Sequence, residues 1–238
     1  IELRKVLNVN FKDLKKISEN PEILSYMVAK SYEQLRKHNE KESLNAKLNA
    51  NKMLVTCPNG QAYLDMPESK IMKKFREGNK KVRGFAISSQ RGVMIDWEWY
   101  DNTPQNSDRF WKAVKNLRPD EEAIIFHIFI FIVGQDVPLL NSVVLFSDLG
   151  ELQTTHLIGR AMRLHPIDRE KLKSKDINPR DWCYGKFIKP SCKIVTPCIE
   201  GYPEFNSGTT VGLINKCRVE MGYMPFQEYH EPTMGGDV

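Results

Sequence analysis

The sequence predicts an α/β fold, a mostly parallel sheet with helices on both faces. Three observations carry that reading. Segments with strand and helix character alternate along the chain. The run Ala123 to Val133 is apolar almost without interruption and rich in Ile and Phe, as in a central strand covered on both sides. The composition is that of an ordinary globular domain, with 41% hydrophobic and 27% charged residues, 14 Gly and 13 Pro in 238 residues.

Asn20-Pro21-Glu22 reads as a helix start with Pro at the first helical position, and Ile23, Leu24, Met27, Val28 and Leu35 then recur at helical spacing. Lys37 to Asn51 is polar, an exposed helix end or linker. Lys52 to Cys57 is a short strand closed by a Pro58-Asn59-Gly60 turn. Gln61 to Glu77 carries a mixed helical pattern, with Pro67 placing the helix start near Met66 or Pro67.

Arg83 to Ser88 reads as a second strand, whereas Ser89 to Gln105 has no clear period. Ser107-Asp108 is the expected cap of a helix bearing Phe110, Trp111, Val114 and Leu117, which Pro119 ends. After the central run come a strand over Asn141 to Ser147 and a helix over Glu151 to Leu164. A strand over Ser191 to Pro197 and a helix over Asn206 to Met221 complete the order α, β, α, β, α, β, β, α, β, α. Residues 1–50 are expected to be a helical lead-in or linker, 51–225 the sheet domain and 226–238 a tail.

The longest apolar run has His127 inside it and falls well short of the roughly 20 residues of a membrane span. No membrane partner is expected. The 5 cysteines, Cys57, Cys183, Cys192, Cys198 and Cys217, are odd in number and lack C-x₂₋₄-C spacing, which argues against a disulfide framework and a zinc site. A reducing, cytoplasmic setting is the expectation. Residue 1 is Ile rather than Met, and a piece of a longer protein is expected. A net charge of +5 permits nucleic-acid binding without requiring it.

The most informative stretch is His156-Leu157-Ile158-Gly159-Arg160-Ala161-Met162-Arg163. On a helix, His156, Arg160 and Arg163 share one face, and Leu157, Ile158, Ala161 and Met162 make the apolar stripe. Gly159 costs a helix interior about 1 kcal/mol against Ala, which suggests close approach of a group such as phosphate. A solvated basic face is the plainer alternative. Upstream, Gly134-Gln135-Asp136-Val137-Pro138 follows the central strand, where open α/β sheets bind ligands. Asp136 reads as a ribose acceptor or simply as a turn former.

Together these two stretches resemble motifs V and VI of the superfamily 2 helicases, Gly-x-Asp-x-Pro at a strand end followed by (Gln/His)-x-x-Gly-Arg-x-x-Arg on a helix. Lys52 to Cys57, Asn106 to Leu117 and Asp120 to Ile128 extend the likeness outward, toward the phage-type DEAD/DEAH-box group. Where that family commonly has Thr-x-Gly or Thr-Glu-Gly, this chain has Ile132-Val133-Gly134.

The resemblance implies the second RecA-like domain, a three-layer sandwich, of an ATP-dependent helicase or translocase. It implies Arg163 as the arginine finger, Arg160 as a second contact to the terminal phosphate, and Gly134, Asp136, His156 and Gly159 around the nucleotide. The cofactor would be ATP with Mg²⁺, the metal held mainly by an N-terminal RecA-like domain supplied in cis or in trans. Nucleic acid, DNA ahead of RNA, would be touched near Thr56 and Ser88 and by Lys80 and Lys81, in a bacterial or phage-infected cell.

No G-x-x-x-x-G-K-[ST] occurs, and Asp120-Glu121-Glu122 precedes a strand instead of ending one, so this chain alone is expected not to hydrolyse ATP. The alternative is a non-catalytic nucleic-acid-binding or scaffold domain derived from a helicase. Another α/β nucleotide-binding domain is disfavoured, because no Gly-rich loop follows the first strand. Trp97, Trp99 and Tyr100 read as packing residues before base-stacking ones, His127 as a core histidine and His165-Pro166 as a helix stop.

Overall fold

The computed structural model describes residues 20–57, 60–128, 137, 139–146, 157–196, 212 and 215. Pro21–Glu42 forms helix α1, entered as its sequence signals: the Asn20 side chain accepts from the amides of Glu22 and Ile23, and Pro21 sits where no donor is missed. Strand β1 is Lys52–Cys57 and β2 is Arg83–Ser88, both with the expected bounds. Between them lie a short helix α2 (Gln61–Asp65), a 3₁₀ turn over Met66–Glu68 and helix α3 (Lys70–Gly78). The longer helix therefore starts after Pro67, where Ser69 accepts from the Met72 amide.

Strands β3 (Gly92–Ile95) and β4 (Glu98–Tyr100) form an antiparallel hairpin within the stretch that shows no period in the sequence. Helix α4 spans Pro104–Lys115 and is capped by Thr103, not by Ser107-Asp108. The central strand β5 covers Ala123–Ile128, β6 Ser142–Leu145 and β7 Lys193–Val195. Helix α5, Pro166–Lys173, has no counterpart among the sequence-predicted elements. The expected helix over 206–221 lies outside the described residues, apart from helical positions 212 and 215.

These strands make one seven-stranded sheet in the order β4-β3-β2-β5-β1-β6-β7. The β2, β5, β1, β6 and β7 strands run parallel, and the β3-β4 hairpin adds the antiparallel margin. The fold is thus the expected mostly parallel α/β sheet.

Side chains alternate across it. Met53, Val55, Ile124, Phe126, Ile128 and Val144 point to a core shared with α1, α2 and α3. Leu54, Phe85, Ile87, Ile125, Val143 and Leu145 point to a second core, shared with α4 and with Leu157 and Ala161. Ile23, Leu24, Val28, Tyr32 and Leu35 of α1 belong to the first of these cores, so residues placed by the sequence in the 1–50 segment pack directly on the sheet. Burying each such side chain fully contributes about 1.5–3 kcal/mol.

One charged side chain lies at the start of this framework. Lys52, fully buried, donates from Nζ to the Pro119 carbonyl at 3.2 Å. Burial pushes its pKa down to about 8, against the pull of Glu121, Asp120 and Glu122.

Candidate functional site

Parallel strands align their carboxyl ends, so Thr56 in β1, Ser88 in β2 and His127 in β5 fall at one end of the sheet. Thr56 pairs in register with His127, and His127 with Ile87. Thr56 is 3% exposed and its hydroxyl donates to the Val144 carbonyl at 3.2 Å. Ser88 is 2% exposed and its hydroxyl accepts from the amides of Gln90 and Arg91 at 3.1 and 3.4 Å. Both hydroxyls serve the sheet and its following turn. Lys80 and Lys81 are exposed and precede β2, which puts them at the opposite end of the sheet from Thr56 and Ser88.

Gly134, Asp136 and His156 lie outside the described residues. Of the 156–163 stretch, 157–161 is helical. Leu157 and Ala161, one turn apart, are buried in the second core, as their spacing requires. Met162 is not part of that apolar stripe: it is 61% exposed. The helix also ends earlier than the 151–164 expectation, because the Arg163 amide bonds back to the Arg160 carbonyl, closing the helix with a three-residue turn. Arg163 thus hangs from the closing turn, while Arg160 belongs to the helix. Gly159 is exposed, and a Cβ placed there meets nothing within 4 Å. The surface over Gly159 is therefore open.

The helix end is held from below by a buried ammonium group. Lys189, 4% exposed, donates from Nζ to the carbonyls of Leu140, Ala161 and Arg163 at 2.6, 2.5 and 2.7 Å. Cations at a helix carboxyl end are favourable because the last carbonyls have no partners within the helix. Lys189 is in turn fixed through Asp168 of α5, fully buried, whose carboxylate accepts from the amides of Ile188 and Lys189 at 2.8 Å each. His165 caps the start of α5, accepting at Nδ1 from the Ile167 amide, so His165-Pro166, which the sequence suggests is a helix stop, is a helix start. Lys189 and Asp168 are absent from the sequence-predicted set. Their partners lie 20 to 49 positions away along the chain, so no local spacing announces them.

The backbone at Arg163 and the side chain at Arg160 have different neighbours. The Arg163 carbonyl shares Lys189 with Leu140, just before β6 begins. Arg160 bears instead on His127, one residue from the end of β5. Burial lowers the His127 pKa to about 4, and the Arg160 charge pushes the same way. His127 is the core histidine its sequence setting suggests, with Nε2 buried and without a hydrogen-bond partner.

A proton taken up by the unfolded chain near pH 6.5 is therefore refused by the folded one until about pH 4. Folding stability falls through that window as pH drops, by up to about 3 kcal/mol from this residue. Urea unfolding of wild type and His127→Phe across the window should show the difference between them changing with pH. A constant difference would reject this account.

The aromatic group packs as expected. Trp97 donates from Nε1 to the Val82 carbonyl at 2.9 Å and stands edge-on to Phe126, with the Arg76 guanidinium 5.1 Å from its ring. Arg91 lies 4.4 Å from the Trp99 ring and Arg109 4.6 Å from that of Tyr100. Of the basic cluster around α3, Arg83 is taken up by Asp96, with bonds of 2.7 and 2.9 Å, and by Glu121.

No helix among the described residues is long and apolar enough to cross a membrane. No family model and no curated protein matches the chain. Among solved structures, the chain is similar to Mss116p DEAD-box helicase domain 2 bound to an RNA duplex, at 14% identity and a TM-score of 0.35, over 83% of this chain and 71% of that one. A similarity of this size carries neither activity nor ligand over to the chain.

Proposed function

We propose that this chain is the second motor domain of a superfamily 2 type helicase or translocase, contributing Arg160 and Arg163 to an ATP site that another RecA-like domain completes. The observation that carries this reading is the motif VI stretch, whose Leu157 and Ala161 are buried while Gly159 lies open beside Arg160. Asp136, Gly134 and His156 would complete the nucleotide contacts by the same resemblance.

ATP with Mg²⁺ would supply a phosphoryl group for transfer to water. The task of this chain would be positioning and charge. A guanidinium presents a planar fork that matches phosphate oxygens, and catalysis of phosphoryl transfer rests on such stabilisation. Arg160, in the last turn of a short helix, and Arg163, in the turn that closes it, would both contact the phosphates. Lys189 would set the angle of the closing turn that carries Arg163. Nucleic acid would bind apart from the nucleotide, through Lys80 and Lys81 and through the loops that follow Thr56 and Ser88.

The test is anisotropy of a fluorescent ATP analogue with Mg²⁺, titrated with this chain, with Arg160→Ala and with Arg163→Ala, beside an ATP turnover assay. Expected are weak binding to wild type, a several-fold loss in each variant, and no turnover by the chain alone. Turnover would place a whole ATP site here and reject the half-site reading. Binding that neither change weakens would reject the arginine assignment and favour the non-catalytic alternative.

A further inference from the structure

The exposed lysines of α3 and the turn after it form a surface of their own. Lys70, Lys73, Lys74 and Glu77 fall at i, i+3, i+4 and i+7, one face of the helix, while Met72 and Phe75 point into the core beneath. Lys80 and Lys81 continue the face past the Gly78-Asn79 turn, and all five lysines are exposed.

Their surroundings leave the ridge positive. Glu22 is spent on the helix start, where its carboxylate accepts from the amides of Lys70 and Ile71 at 2.9 and 3.0 Å. Arg83 neutralises Asp96 at the strand behind. Glu68 lies 3.8 Å from Lys73, and Glu77 is the other acid on the helix face. Arg36 of α1 reaches the same turn, donating to Asn79 Oδ1 at 3.1 Å.

We infer that this ridge binds the phosphate backbone of duplex nucleic acid. The inference deepens the nucleic-acid half of the proposed function and leaves the nucleotide half untouched. It moves the main contact from the strand ends at Thr56 and Ser88 to the other end of the sheet, on the face opposite Leu157 and Ala161.

Two features select the partner. The ridge offers point charges without an open aromatic ring, because the Trp97 ring lies between Arg76 and the core; a single strand, which gains from base stacking, is the poorer fit. At 1.5 Å per residue the helix covers roughly 13 Å, and with the turn it spans about five phosphates at 3.4 Å per strand. Lysine, a hydrated point charge, would hold such a backbone without reading sequence.

The experiment is anisotropy of a labelled 20-base-pair duplex titrated with the whole chain across a salt series. The variants are Lys70→Gln/Lys73→Gln/Lys74→Gln, Lys80→Gln/Lys81→Gln, and Arg160→Ala. Wild type should bind with a negative slope of log affinity on log salt. The triple change should lower that slope by about 2 to 3, the double by about 1 to 2, and each should weaken binding at low salt by tenfold or more.

Arg160→Ala should leave duplex binding unchanged, and its loss of ATP-analogue binding reports separately on the motor reading. Circular dichroism of the lysine variants, all at exposed positions, should match wild type. No duplex binding by wild type, an unchanged slope in both lysine variants, or lysine-dependent binding to phosphatidylserine vesicles in place of the duplex would each overturn the inference.

Discussion

Lys189→Met is expected to destabilise the chain by about 3–5 kcal/mol, read as a fall in melting temperature of roughly 10 °C. The side chain is nearly fully buried and its ammonium group satisfies three carbonyls at once. Methionine fills a similar volume but donates nothing, and each buried acceptor left unpaired costs about 1–3 kcal/mol. Part of that cost is recovered by removing a desolvated charge, which keeps the total below the sum of three lost bonds.

The loss should also be local. Ala161 and Arg163 end the 157–161 helix and its closing turn, so hydrogen exchange of the Met162 and Arg163 amides should accelerate more in the variant than that of the β5 amides. Equal acceleration everywhere would mean that Lys189 is only a core residue. No change in stability would mean that the carbonyls find other donors.

The same geometry explains why the candidate site was only half legible in the sequence. Positions 157–163 can be read from periodicity because helical phasing is local: Leu157 and Ala161 go inward together. What the period does not contain is the stop. Helical spacing continues to Leu164, but Lys189, Leu140 and Asp168 converge from distant parts of the chain and end the helix at 161. Arg163 therefore sits in the closing turn, outside the helix that carries Arg160. The sequence pattern singles out both arginines, and tertiary contacts decide where the helix beneath them ends.

The fold divides along the same line. The β1 and β2 strands and the start of α1 are set by short apolar runs and an Asn-Pro cap, signals complete within a few residues. Thr103-Pro104 is the same signal as Asn20-Pro21 and marks the true start of α4, one turn before the Ser107-Asp108 pair that competes with it. Helix α5 hides because Asp168, at a position facing the core, is charged, so its apolar stripe is broken where the buried carboxylate does its bonding. The β3-β4 hairpin hides for a third reason, the identity of its turn.

That turn is Asp96-Trp97, with φ of 52° and 69°. Two consecutive positive φ values match the strand-compatible hairpin turn normally made by Asn-Gly or Asp-Gly, and a Trp there is strained on its own. It is held by what its side chain does. The indole donates to the Val82 carbonyl and lies over Gly84, where a Cβ would sit 2.1 Å from the ring. The Trp97 amide also bonds to the Gly84 carbonyl at 3.0 Å. Gly84 is thus required by packing, as the one residue type that lets the ring close on the β2 backbone.

Gly84→Ala is therefore expected to cost about 2–4 kcal/mol, since an extra methyl in a filled site forces ring and backbone apart. Trp97→Gly should also destabilise, by about 3–5 kcal/mol, through the lost aromatic burial, while suiting the backbone of the turn. The double variant decides the mechanism. Once the indole is gone the alanine methyl has space, so Gly84→Ala should cost well under 1 kcal/mol in the Trp97→Gly background, a coupling of 2 kcal/mol or more. Additive effects in urea unfolding would show that Gly84 is needed for the strand itself, and the hairpin turn would then need another source of support than the ring that lies over it.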